Sequence, residues 1–412
     1  MAEDTQTPLG ALVMSGAQQT VAEKITDTIF MVKDISNAYL VTTPDGDVLV
    51  NTGFIGNGLR NKALFAPHRT GPLRKIVLTQ AHADHFGALP EQVEPGTEVI
   101  AGAGFVETDQ YFDKLKMFLG RRSGKLWASM TRRDGPPPVP PKVVPDVEVA
   151  DRLAFTLGGK QFEVIKVPGG ETLCCAIVWL PEEKTVFTGN AFGPVWLSQP
   201  NLTTTRGDKP RLVAPYLRTV ELVRDLGAEL VVTGHGEPVR GAERIHADLT
   251  AMHDAISYIE RETIKGMNDG RSVYELMQTI ALPANITVGG FYGQTKWTVR
   301  AVWEENGNWF KYEDGTPALF GSPRSSVDAD VVELAGGADK IAERAQARLD
   351  AGQPLDALHL VDIALSGDPA EPTALEVKKQ ACQMLLTRGG GQNLSETMWL
   401  RAEIADVEKA LG

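Results

Sequence analysis

The run Arg74-Lys75-Ile76-Val77-Leu78-Thr79 is rich in β-formers and breaks off at Gln80-Ala81-His82-Ala83-Asp84-His85, and this junction constrains the chain more than any other segment. Two imidazoles and a carboxylate fall within four positions at one strand end, a donor set that suits a borderline divalent cation such as zinc. Packing alone rarely asks for such a cluster. A second strand pattern, Glu229-Leu230-Val231-Val232-Thr233, ends at Gly234-His235-Gly236. The fold must therefore carry two strand ends, distant in sequence, to one place if His235 is to join the other three donors.

The surrounding pattern supplies the strands. Thr28 to Val32, Ala38 to Thr42 and Asp47 to Asn51 read as short strands, with a hairpin signal at Pro44-Asp45-Gly46-Asp47. A helix is expected over Gly58 to Phe65, and the histidine cluster is expected on a loop. Asp134 to Pro145 holds six prolines, which remove amide donors and fix φ, so it reads as an extended surface connection. Strands resume at Arg152–Leu157, Gln161–Val167, Ala176–Leu180 and Thr185–Thr188. Apolar spacing at Val213, Leu217, Val220 and Val223 predicts a helix over Leu212 to Leu226, and further helices follow over Ala242–Lys265 and Arg271–Thr279. From Val331 the chain turns to Ala, Leu, Glu and Lys at helical period, with helices expected over Ala338–Ala351, Pro354–Leu365 and Pro372–Leu386, a stack with the spacing of one tetratricopeptide-like unit. The domain reading is 1–268 for a metal-binding domain, 269–330 for a connecting segment packing on the site, and 331–412 for a separate helical domain.

Composition removes several classes. A net charge of −12 argues against nucleic acid as a partner. The only cysteines are Cys174, Cys175 and Cys382, which imply no disulfide framework. No basic region precedes an apolar core near Met1, and no apolar run nears the roughly 20 residues of a membrane helix, so a cytoplasmic chain with no membrane partner is expected.

Thr79-Gln80-Ala81-His82-Ala83-Asp84-His85-Phe86-Gly87 resembles the hallmark Thr-His-x-His-x-Asp-His-x-Gly of the metallo-β-lactamase superfamily everywhere but at Gln80. The likeness extends over about residues 22 to 250, with Asn51 where the family usually has Asp. Val299-Arg300-Ala301-Val302-Trp303 after Tyr292-Gly293, the helical tail, and Asn201-Leu202-Thr203-Thr204-Thr205-Arg206-Gly207 are similar to the alkylsulfatase branch. The resemblance implies an α/β fold, an αββα sandwich of two sheets covered by helices, followed by an α-helical dimerisation-like module and hence a homodimer.

It also implies a site, with departures. One family metal is held by the Asp and His equivalents of Asp84, His85 and His235, which are all present. The other is held where this chain has Gln80, His82 and Cys175, and the bridging Glu is replaced by Gly189 with Asn190 beside it. One zinc ion is therefore expected at Asp84, His85 and His235, with His82 as a fourth ligand or a base and Cys175 or Glu171 as the residue that would rescue a second ion. Gln80 and Asn190 are expected to be free to bind substrate, together with Arg206, Tyr292 and Trp297, Arg206 facing an anionic group. The family's leaving-group and sulfate-holding histidines are replaced near Trp196 and by Trp297. The expected chemistry is metal-assisted hydrolysis of a small ester-like or anionic molecule. A lyase or isomerase step on the same scaffold, or a non-catalytic homodimer, are the alternatives.

Overall fold

The computed structural model describes residues 7–131, 139–209 and 211–412. The chain divides into two compact units, one of residues 1–123 and 128–305 and one of residues 124–127 and 306–412.

The larger unit is built on two sheets. Seven strands, β1 (Glu23–Lys24), β2 (Ile29–Val32), β3 (Ala38–Thr43), β4 (Gly46–Val50), β5 (Leu73–Leu78), β6 (Glu98–Gly102) and β7 (Val147–Val149), lie side by side in chain order. Pairing is antiparallel from β1 to β4 and parallel from β4 to β7. The second sheet has the order β13 (Val239–Arg240), β12 (Leu230–Thr233), β11 (Thr185–Gly189), β10 (Ala176–Leu180), β9 (Lys160–Lys166) and β8 (Arg152–Leu157), with β11 and β12 parallel.

β2 to β5 are apolar nearly throughout because both faces are covered. Met31, Tyr39, Val41, Val48, Val77 and Ile100 of the first sheet pack with Val164, Val178, Phe187 and Val232 of the second to form the layer between the sheets. Leu40, Leu49, Ile76 and Leu78 point the other way, toward Phe65, Phe86 and Phe105. Ile165, Ile177, Val186 and Val231 turn outward from the second sheet toward Val220 and Val223 of helix Val213–Asp225 and Ile245, Leu249, Met252 and Ile256 of helix Ala242–Asn268. The result is the αββα sandwich.

Most elements fall where expected. Gly58–Phe65, Arg152–Leu157 and Ala176–Leu180 keep the bounds read from the sequence, and the others shift by one to three residues. Several elements escaped the sequence reading, among them helices Pro8–Met14, Phe105–Lys114, Lys116–Thr131, Thr295–Gly307 and Leu394–Leu411 and strand Glu98–Gly102. The histidine cluster is not simply a loop, since Ala83–Phe86 forms one helical turn with His82 as its N-cap. Of the proline-rich stretch, residues 132–138 lie outside the described residues, and Val139 to Pro145 have no regular secondary structure.

In the smaller unit, helices Ala338–Asp350, Pro354–Gly367 and Pro372–Gly389 share a core of small residues. Ala342, Ala345, Ala357, Ala364, Ala374 and Ala381 are fully buried there, which allows close helix approach. Pro354 and Pro372 open their helices, where a missing amide costs nothing.

Candidate metal centre

The carboxyl ends of β4, β5, β11 and β12 meet at one edge of the sandwich, and backbone bonds between the sheets fix the meeting. Ala176 N donates to Thr79 O at 2.9 Å, and Asn37 N to Gly234 O at 2.7 Å. Two glycines make the approach close. A Cβ on Gly234 would lie 2.1 Å from Asn190 Oδ1 and 2.8 Å from His85 Cε1, and a Cβ on Gly189 would lie 2.3 Å from Thr79 Oγ1. A glutamate therefore has no room at Gly189, whose φ of +50° also favours glycine.

Asp84, His85 and His235 each present a ligand atom, and these atoms lie within 4.8 Å of one another. Asp84 Oδ2 is 3.5 Å from His85 Nε2 and 3.6 Å from His235 Nε2. A tetrahedral ion with bonds of about 2.0 to 2.1 Å holds its ligands roughly 3.3 Å apart, so the group is near coordination spacing. Burial pushes the imidazole pKa of His85 down to about 3 and that of His235 to about 4, so both rings are neutral near pH 7 and keep a lone pair to offer. His85 Nε2 is buried without a hydrogen-bond partner. Its other nitrogen, Nδ1, lies 3.0 Å from Ser36 Oγ and 3.1 Å from Asn51 Nδ2. The serine oxygen can accept the Nδ1 proton, which leaves Nε2 free to ligate. Asn51 caps β4 at φ +60°, a conformation asparagine tolerates, and its Oδ1 accepts from Thr79 N at 2.9 Å. These donors fit a divalent cation.

The neighbouring half of the site is organised around Glu171. Its Oε2 accepts from Asn190 Nδ2 at 2.8 Å and Gln80 Nε2 at 3.3 Å, and lies 3.4 Å from His82 Nδ1. Its Oε1 lies 3.2 Å from Arg211 Nη1 and accepts a short bond from the Tyr292 hydroxyl. Burial alone would raise this carboxyl, but Arg211, His82 and Tyr292 outweigh it and hold Glu171 well below the usual carboxylate range. Glu171 thus takes an amide donor from each of Gln80 and Asn190, the two side chains the sequence reading left free for substrate, while Asn190 Oδ1 has no partner among the described residues. Asn190 Nδ2 also lies 3.2 Å from His235 Nε2, so it links the two halves. Gln80 Nε2 is 2.8 Å from His82 Nδ1, and His82 Nε2 is buried without a partner.

The remaining expected residues scatter. Cys175 does not join the three metal donors; it is buried, its Sγ faces Gln80 Oε1 at 3.6 Å, and burial pushes its thiol up to about 11. Arg206, with 25% of its side chain exposed, pairs with Asp208 at 2.6 Å. Tyr292 is 9% exposed and bonds to Glu171 and Arg211. Trp297 is half-buried at the start of helix Thr295–Gly307, where its carbonyl accepts from Thr203 Oγ1 at 3.3 Å. Trp196 donates its indole N–H to Asp248 at 2.7 Å. Sequence reasoning passed over Ser36, Arg211 and Phe112, whose ring lies 5.2 Å from that of His82. No motif marks them, although Arg211 closes a run in which two arginines flank Asp208.

The family model of the metallo-beta-lactamase superfamily matches residues 31–235, and that of alkyl sulfatase dimerisation matches residues 273–398. A linear primary-alkylsulfatase of a Pseudomonas strain is 26% identical over 374 residues, covering 84% of this chain and 69% of its own length. An alkyl/aryl-sulfatase of Saccharomyces cerevisiae is 23% identical over 401 residues, covering 88% of this chain and 60% of its own. Across the curated relatives it matches, the chain spans 58% to 69% of their length. The solved stereoselective inverting sec-alkylsulfatase Pisa1 from Pseudomonas superposes with a TM-score of 0.82 at 20% identity, over 95% of this chain and 66% of that one, a likeness of fold. Together with the αββα sandwich and the cluster at its edge, these matches identify residues 31–235 as a metallo-beta-lactamase superfamily domain and residues 273–398 as an alkyl sulfatase dimerisation domain.

Proposed function

We propose that this protein is a metal-dependent hydrolase that cleaves a small ester-like or anionic substrate, with one divalent cation, zinc the first choice, held by Asp84, His85 and His235. The observation that carries the reading is the convergence of these three donors around a buried His85 Nε2 that has no hydrogen-bond partner among the described residues. Sulfate esters are the first substrate class to test, since the relatives are named as alkylsulfatases. The match of residues 273–398 to a dimerisation family supports a homodimer formed through the C-terminal helices.

When bound, such an ion supplies Lewis acidity that lowers the pKa of water by several units. The chain supplies the rest. Asp84, 23% of whose side chain is exposed, presents a carboxylate oxygen that can accept a proton from the attacking water and orient it. His82 handles the other proton. Gln80 Nε2 lies 2.8 Å from its Nδ1, and the ring's Nε2, left without a partner among the described residues, is the atom that would pass a proton to a leaving oxygen. This offers a replacement for the donor lost around Trp196. Arg206 is the solvent-reaching guanidinium at the site, and an anionic substrate competes with Asp208 for it.

The test is turnover of chromogenic sulfate, phosphate and carboxylate esters in heavy-oxygen water. Solvent oxygen in the product supports hydrolysis. Turnover that leaves the label in water overturns it in favour of a lyase or isomerase.

A further inference from the structure

Glu171 and His82 sit beside the three-donor group with Oε2 and Nδ1 3.4 Å apart, which is coordination spacing for a second ion. The carboxylate already has a full complement of donors, however. Asn190 and Gln80 bond to one oxygen, Tyr292 and Arg211 to the other. The guanidinium is itself fixed, 6% exposed, with Nη1 also bonded to Asn201 O at 2.9 Å and the Tyr292 hydroxyl at 3.0 Å, and Nη2 at 3.5 Å from Asp208.

Charge counting points the same way. The cluster sets two buried carboxylates, Glu171 and Asp208, against two guanidiniums, the buried Arg211 and the 25%-exposed Arg206. It is neutral as folded. A dication added on Glu171 would bring two uncompensated charges into a buried region and stand beside a fixed cation, and both terms are strongly unfavourable at low dielectric. By contrast, Asp84 stands 3.5 and 3.6 Å from His85 and His235, and no Lys or Arg among the described residues pairs with it.

Resting on the one-metal reading above, we propose that Arg211 is an internal cation: its guanidinium takes, on Glu171, the electrostatic place of a second divalent ion and so limits the centre to one metal. Gln80 in place of a histidine is then a secondary cause, because restoring a ligand leaves the guanidinium where it is. Arg211 acts here as a positioning residue, holding Glu171 in a shape that orients His82 and Asn190 and does not ligate.

The test is zinc per chain by elemental analysis, after equilibration with excess zinc and removal of unbound ion, for the native protein, Gln80→His, and Gln80→His combined with Arg211→Gln. The expected values are one, one and two equivalents. A second equivalent in Gln80→His alone overturns the proposal, as does a folded double variant that stays at one. If the double variant does not fold, the Gln80→His chain decides by itself, one equivalent supporting the proposal and two refuting it. A native protein with none or two contradicts the one-metal reading itself, a separate failure from that of the role of Arg211.

Discussion

The two halves of the site lie side by side at the same strand ends and differ in how their polar atoms are satisfied. Asp84, His85 and His235 face one another with no cation among them, and His85 Nε2 has no partner. Both carboxylate oxygens of Glu171 accept hydrogen bonds, Oε2 from Asn190 and Gln80 and Oε1 from Tyr292 and Arg211. Buried polar groups left unpaired are costly, and both halves keep some, His85 Nε2 and His235 Nδ1 in the first and His82 Nε2, Asn190 Oδ1 and Arg211 Nε in the second, but the buried carboxylate of the second is bonded at both oxygens as folded. A constellation of ligand-type residues is thus not by itself a metal site. What separates the two is whether a fixed cation of the chain already answers the negative charge.

The largest expected effect tests His82, which joins the halves. His82→Gln should lower kcat by about 10²- to 10⁴-fold on whichever ester is turned over, the usual worth of a proton donor, while zinc content stays unchanged. Loss of zinc in this variant would move His82 into the ligand set and break the division. Next comes the saturated half. Arg211→Met leaves Glu171 buried and unpaired, and should cost roughly 3 to 5 kcal/mol of stability in denaturant unfolding of the zinc-free protein. A loss below about 1 kcal/mol would mean that the pair is not the anchor described here. Ser36→Ala removes the acceptor at His85 Nδ1 and should weaken zinc binding about 10- to 100-fold in a competition titration, with little change in unfolding.

The smallest effect is on pH dependence. His85 and His235 have folded pKa values lowered to about 3 and about 4 from the ordinary 6.5, so below pH 6.5 the unfolded chain binds protons that the folded chain refuses. Their contribution to stability is present above 6.5 and is lost as pH falls. Between pH 7 and 6 the metal-free protein should lose roughly 1 kcal/mol, and His235→Ala about half of that difference. Glu171 is also lowered, from 4.5, which for a carboxylate favours the charged form, so its contribution holds until pH falls below that value. An acid unfolding curve that begins only below pH 4.5 would contradict this order.

Much of the fold was legible because the buried strands announce themselves. Val48-Leu49-Val50 and Ile76-Val77-Leu78 are apolar on both faces and can only be interior strands. Helix Lys116–Thr131 was invisible for the converse reason, since Met117 and Phe118 are exposed at 69% and 41% and leave no regular apolar stripe. The group of Asp84, His85 and His235 could be picked out from its own residue types at two strand ends. The saturated half could not. Glu171 gains its meaning from Gln80, 91 positions away, and Tyr292, 121 positions away, and pairings at such separations leave no local trace. Gln80 and Asn190 looked free for substrate because the sequence shows an amide and never its acceptor.

The central claim is that one cation is held by Asp84, His85 and His235. It is tested most directly by elemental analysis of protein purified without added metal, native beside His235→Ala. This account predicts one equivalent per native chain and a loss of that equivalent in the variant. A native chain that holds no metal and takes none up, or a variant that keeps its full complement, would contradict it.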